Sequence, residues 1–78
     1  MDNDEILENI GALVEEERAL RQRSGGLLDE ERSRLAELEV RLDQYWDLLR
    51  QRRAKAEYGE DPDTAAVRPA VEVEGYRS

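Results

Sequence analysis

Residues 28–59 read LDEERSRLAELEVRLDQYWDLLRQRRAKAEYG, and the fold depends on how this stretch is interpreted. Leu28, Leu35, Leu42 and Leu49 stand seven apart, with Leu38 and Tyr45 at the interleaved position. That is the heptad pattern of a helix packing along one seam. Glu30 with Arg34, and Glu37 with Arg41, are spaced four apart in the orientation that supports an exposed helix face. Asp29 is a good cap at the start, while Gly59 and Pro62 forbid continuation at the end. The spacing predicts a helix over 29–57.

Toward the N-terminus, Ser24-Gly25-Gly26 breaks the chain and marks a turn over 24–28. Before it, Ile6, Leu7, Ile10, Leu13, Val14 and Leu20 recur at three- and four-residue steps, which predicts an amphipathic helix over 4–23. Asp2 or Asn3 caps it, and Asp2 with Glu5 has capping-box spacing. Glu17 interrupts the apolar stripe and is expected to pair with Arg21, four residues on. A connection this short folds the helices back on each other. The expected fold class is therefore all-α: an antiparallel two-helix hairpin, coiled-coil-like, over residues 1–58, followed by a tail. Equal rise per residue around Gly26 sets Leu13 against Leu38, Ile10 against Leu42, and Ile6 beside Tyr45 and Trp46.

Residues 59–78 lack a helical period. Glu60-Asp61-Pro62-Asp63-Thr64 reads as a loop, and Val71-Glu72-Val73-Glu74 alternates like a strand with no second strand to pair with. An extended or partly disordered tail is expected. If docked, its Val67, Val71, Val73 and Tyr76 would cover positions such as Val40 or Leu48. The second helix also offers a wider apolar band than one partner helix needs, since Leu27, Trp46 and Leu48 flank the heptad residues. Self-association through Leu28, Leu35, Leu38, Leu42, Tyr45 and Leu49, as a homodimeric bundle, is the economical expectation.

Composition limits the chemistry. The 78 residues carry 20 acids and 12 bases for a net charge of −8, with no histidine and no cysteine. Thiolate nucleophiles, disulfides and Cys/His metal sites are excluded. Glu15-Glu16-Glu17, with Asp43 and Asp47 on the predicted outer face, reads as solvated acidic surface, because bundle metal sites pair glutamate with histidine. No glycine-rich phosphate cradle or nucleophile elbow occurs. No catalytic residue, cofactor or metal is expected. The acidic start, Met1-Asp2-Asn3-Asp4-Glu5, differs from a basic secretory leader, no run is apolar enough for a membrane span, and a cytoplasmic location is expected.

The charge is uneven. Arg50-Gln51-Arg52-Arg53-Ala54-Lys55 places four cations in six residues near the predicted helix end, where they favour the macrodipole. A DNA-reading zipper carries its basic helix directly before the leucines, a place held here by Asp29-Glu30-Glu31, so that class is rejected. Binding of a nucleic acid or ribonucleoprotein by Arg50, Arg52, Arg53 and Lys55, aided by Tyr45, Trp46 and Tyr58, stays open but is opposed by the net charge. Trp46 reads first as seam packing; exposed beside arginines, it has the composition of a protein-binding hot spot.

The stretches Ala12-Leu13-Val14-x-Glu16-Glu17, Leu42-Asp43-Gln44-x-Trp46-Asp47-Leu48-Leu49-Arg50-Gln51-Arg52-Arg53-Ala54, Gly59-Glu60-Asp61-Pro62-Asp63 and Val67-Arg68-Pro69-Ala70 resemble a family of short actinobacterial proteins of unknown function. The resemblance covers nearly the whole chain. It implies a compact module that includes the tail, and no assigned activity. Tyr45 and Arg18 stand where that family often has Cys and His, which argues against an essential chemical group at either position. The expectation is a small non-enzymatic interaction protein presenting Trp46, Arg50, Arg52 and Arg53 to a protein partner.

Overall fold

The computed structural model describes residues 1–23 and 26–75, with side chains through Val73. Two long helices, α1 (Asn3–Arg21) and α2 (Asp29–Glu57), are followed by a 3-10 turn (Pro62–Thr64) and a short helix α3 (Ala70–Gly75). The described residues are all-helical with no strand.

Asp2 caps α1, its Oδ1 accepting from the Glu5 backbone N–H at 2.8 Å. Asp4 and Glu5 in the first turn and Arg18 and Arg21 in the last each interact favourably with the nearby end of the helix dipole. Glu17 pairs with Arg21 at 3.6 Å. The helix ends at Arg21, two residues before the expected limit, where Gln22 turns its N–H back to Arg18 and Leu20. The Ser24 and Gly25 part of the turn lies outside the described residues.

In α2 the cap is Leu28 rather than Asp29: the Leu28 N–H donates to Glu31 Oε1 at 2.9 Å, and Asp29 becomes a first-turn acid. The far end is a Schellman motif. Gly59 takes φ 74°, the Glu60 N–H reaches the Lys55 carbonyl at 2.8 Å, and the Gly59 N–H reaches Ala56 at 3.2 Å.

The helices are joined by side chains of distant sequence. Arg34 grips Glu16 with two bonds of 3.1 and 2.8 Å, Arg21 meets Glu39 at 2.7 Å, and Arg52 Nε donates to Asn3 at 2.7 Å. The first turn of α1 thus lies beside the last turns of α2. Arg34 was expected on Glu30 but binds Glu16 and Glu37 instead, because a carboxylate on the facing helix allows a two-point grip. Its guanidinium is raised above the usual arginine range, chiefly by the Glu16 bond.

Ile6, Ile10, Leu42 and Leu48 form the core, with Leu13, Val14, Tyr45, Leu49 and the tail's Ala65 packed around it, and Leu38 is also fully buried. The heptad seam divides. Leu38 and Leu42 are buried, Leu35, Tyr45 and Leu49 half-buried, while Leu28 is 62% exposed. The core follows three- and four-residue steps toward α1 and the tail, so Leu48 is enclosed although it lies off the sevens.

The tail is not extended. Asp61 caps the Pro62–Thr64 turn, accepting the Asp63 N–H on Oδ1 at 3.0 Å. The Pro69 carbonyl accepts from Glu72 at 3.0 Å and Val73 at 3.3 Å, opening α3. Val71-Glu72-Val73-Glu74 is therefore helical. With no strand to pair against, the backbone meets its hydrogen-bonding requirement locally. Val73 is buried, while Val67 and Val71 are exposed and Tyr76 lies outside the described residues.

Candidate interaction site

Gln44, Asp47 and Gln51 recur at steps of three and four on α2, so they share one face, and that face holds the tail. Arg68 Nε donates to Asp47 Oδ2 at 2.9 Å, and a second guanidinium nitrogen of Arg68 binds Asp47 Oδ1. Gln51 Nε2 bridges Asp47 Oδ2 at 2.8 Å and the Ala66 carbonyl at 2.9 Å. Gln44 Nε2 reaches the Arg68 carbonyl at 3.1 Å. Next to Gln51, Arg52 Nη1 donates to the Pro62 carbonyl at 3.1 Å and to Asp63 Oδ1 at 2.9 Å while its Nε donates to Asn3. One guanidinium thereby ties α1, α2 and the tail together.

Two expectations are corrected here. Asp47, placed on the outer face by the helical period, is 1% exposed, because the tail closes over it and supplies the cation that makes burial tolerable. Arg52, expected at an accessible basic end, is 8% exposed and committed to internal acceptors. Among the described residues every buried side-chain nitrogen and oxygen has a partner. Sequence reasoning missed Arg68. The available signal was that it is one of only two cations among the five acids of 59–78.

The Asp47 carboxyl is held below its usual range, first by the Arg68 hydrogen bonds, against burial, with Gln51 and the charges of Arg68 and Arg50 assisting. A carboxyl whose folded pKa is depressed contributes stability above its unfolded value of about 3.9 and loses it as pH falls through the folded value. Trp46 lines the groove beside the tail. Its fluorescence is expected to stay flat from pH 7 down to about 4.5 and to change below about 4, with that component missing in Asp47→Asn. A Trp46 transition identical in wild type and Asp47→Asn would contradict the assignment.

Between α2 and the tail lies an open groove of about 580 Å³, walled by Asp43, Trp46, Arg50 and Ala54 on one side and Arg68 and Val73 on the other. Trp46 is 42% exposed. Trp46, Arg50 and Arg53, at steps of four and three, form one stripe on α2. Arg18, Arg21, Arg23, Arg32, Arg34, Arg41, Arg52 and Arg68 each meet a carboxylate. The side chains of Arg50, Arg53 and Lys55 make no hydrogen bond or ion pair among the described residues. Of the four sequence-predicted contact residues, the structure brings Trp46, Arg50 and Arg53 to one accessible surface and withdraws Arg52 into the interior. Among the described residues no group of three or more acids could hold a metal ion, and no helix is long and apolar enough to cross a membrane.

No solved structure matches the chain. It is 55% identical over 75 residues to an uncharacterized protein of Mycobacterium bovis, the match covering 92% of this chain and 86% of the relative. Uncharacterized proteins from two strains of Mycobacterium tuberculosis match at the same 55% identity, 92% of this chain and 86% of each relative. The family model described as "Protein of unknown function (DUF2630)" matches residues 2–78, taking in the tail as well as both long helices. The chain therefore belongs to this family of uncharacterised actinobacterial proteins.

Proposed function

We propose that the protein is a small non-enzymatic cytoplasmic interaction module: an antiparallel, coiled-coil-like hairpin latched by its own tail, which meets another protein through the Trp46, Arg50 and Arg53 stripe. The observation that supports this reading is the contrast between paired and unpaired cations. In a chain of net charge −8, eight arginines meet carboxylates of the same chain, and of the remaining cations among the described residues Arg50 and Arg53 stand within two turns of a half-exposed tryptophan on the same helix, with Lys55 just beyond. Exposed tryptophan with arginine suits a protein surface that offers a carboxylate beside an apolar side chain. Nucleic-acid binding is less well supported, since Arg52 is committed internally and the net charge opposes phosphate.

A photo-crosslinking side chain in place of Trp46, in cells that make the protein, tests this. The expected result is a crosslink to protein that disappears when Arg50 and Arg53 are both changed to glutamate, and that is weaker from a control position at exposed Ser33. Equal crosslinking from both positions, or transfer to RNA, would overturn the reading.

A further inference from the structure

We infer that the occupant of the Trp46, Arg50 and Arg53 stripe is a second copy of this chain, seated by the outer face of the first turns of α1; the inference rests on the interaction-module reading above and names its partner. That α1 face carries the complementary chemistry. Asp4 and Glu8 are exposed and make no ion pair among the described residues, and Leu7 between them is 47% exposed.

The spacing also fits. Along α2 the contact residues step by four and then three, from Trp46 to Arg50 to Arg53; along α1 in the opposite direction, Gly11, Glu8 and Asp4 step by three and then four. Laid antiparallel with equal rise, Trp46 comes over Gly11, Arg50 beside Leu7 and Glu8, and Arg53 beside Asp4.

Gly11 supplies an independent argument. Glycine weakens a helix interior relative to alanine. Gly11 is exposed, and a Cβ built there meets nothing within 4 Å, so nothing among the described residues calls for a glycine. A tryptophan ring from a second copy, packed close against the α1 backbone, would call for one.

The arrangement closes on itself. The Asn3–Arg52 bond sets the start of α1 and the end of α2 at the same end of the molecule. A twofold rotation then places each copy's α1 on the other's stripe, giving two equal contacts. The leucine seam expected to mediate self-association is not needed, since Leu38 and Leu42 are already enclosed within one chain.

Sedimentation equilibrium on the full chain tests this. Wild type is expected to dimerise with concentration. Arg50→Glu with Arg53→Glu, and separately Asp4→Lys with Glu8→Lys, are expected to be helical monomers, and their equimolar mixture to recover a heterodimer, because one variant is acidic at both patches and the other basic at both. Gly11→Ala is expected to keep or raise helix content while weakening dimerisation at least tenfold. A wild type that stays monomeric at millimolar concentration, or a mixture that stays monomeric while wild type dimerises, overturns the inference. If the monomeric wild type still crosslinks another protein from position 46, only the second-copy assignment falls; if position 46 yields no specific crosslink at all, the interaction reading falls with it.

Discussion

Arg68→Ala is expected to release residues 62–75 from α2 while leaving α1 and α2 helical. The substitution removes both hydrogen bonds to a carboxylate that is 1% exposed. Leaving a buried charge without its partner costs about 3–5 kcal/mol. Here the tail can lift and let water reach Asp47, so the loss is capped by the free energy of docking the tail rather than by the whole fold. The signature is selective: the backbone amides of Ala65, Glu72 and Val73, which bond the Pro62 and Pro69 carbonyls, lose hydrogen-exchange protection, while those of Ile10 and Leu42 keep it. Asp47→Asn is expected to cost less, because it removes the buried charge and leaves a partly exposed Arg68 within reach of solvent. If Arg68→Ala leaves tail protection unchanged, or if Asp47→Asn is the more damaging, the latch is wrongly assigned.

Leu38→Ala is expected to cost about 2–5 kcal/mol, because the side chain is fully enclosed and its removal leaves a cavity. A domain of 78 residues has roughly 4–12 kcal/mol of stability in total, so the variant is close to unfolding at room temperature. Leu28→Ala, at a position with the same heptad standing in the sequence, is expected to change stability by about 0.5 kcal/mol or less, since that side chain is 62% exposed. Urea denaturation followed by circular dichroism measures both. Comparable losses at the two positions would mean that the seam runs in strict sevens and that Leu28 belongs to the core.

The contrast between Leu28 and Leu38 also marks where the sequence was legible. The bounds of α2 followed from its apolar period and from Gly59 and Pro62, which are local signals, and they match the observed Asp29–Glu57. The end of α1 was set two residues late because Gln22 and Arg23 are good helix formers and nothing in them announces a stop. Asp47 was misread for a different reason. A helical period assigns a charged residue to the solvent side unless its partner is known, and that partner lies 21 residues away in a stretch with no period of its own. Arg52 was misread in the same way, its acceptors being Asn3, Pro62 and Asp63. Val71-Glu72-Val73-Glu74 alternates, but alternation selects a strand only where an edge exists to pair with. Of the candidate contact residues, Trp46, Arg50 and Arg53 were visible in the sequence because their stripe is local to one helix. What the sequence did not disclose was that the neighbouring Arg52 would be drawn inside by tertiary contacts, leaving those cations distinguished from the rest of the basic block.

The ¹⁵N relaxation of the non-proline residues of 62–73 tests most directly whether tail and helices form one body. Docked through Asp47, Gln51 and Arg52, these residues are expected to show backbone order parameters close to those of α2, about 0.85, with Val73 as rigid as Leu48. Values below about 0.6 across 62–73, with those of α2 unchanged, would contradict the latch and leave the groove beside Trp46 without its second wall.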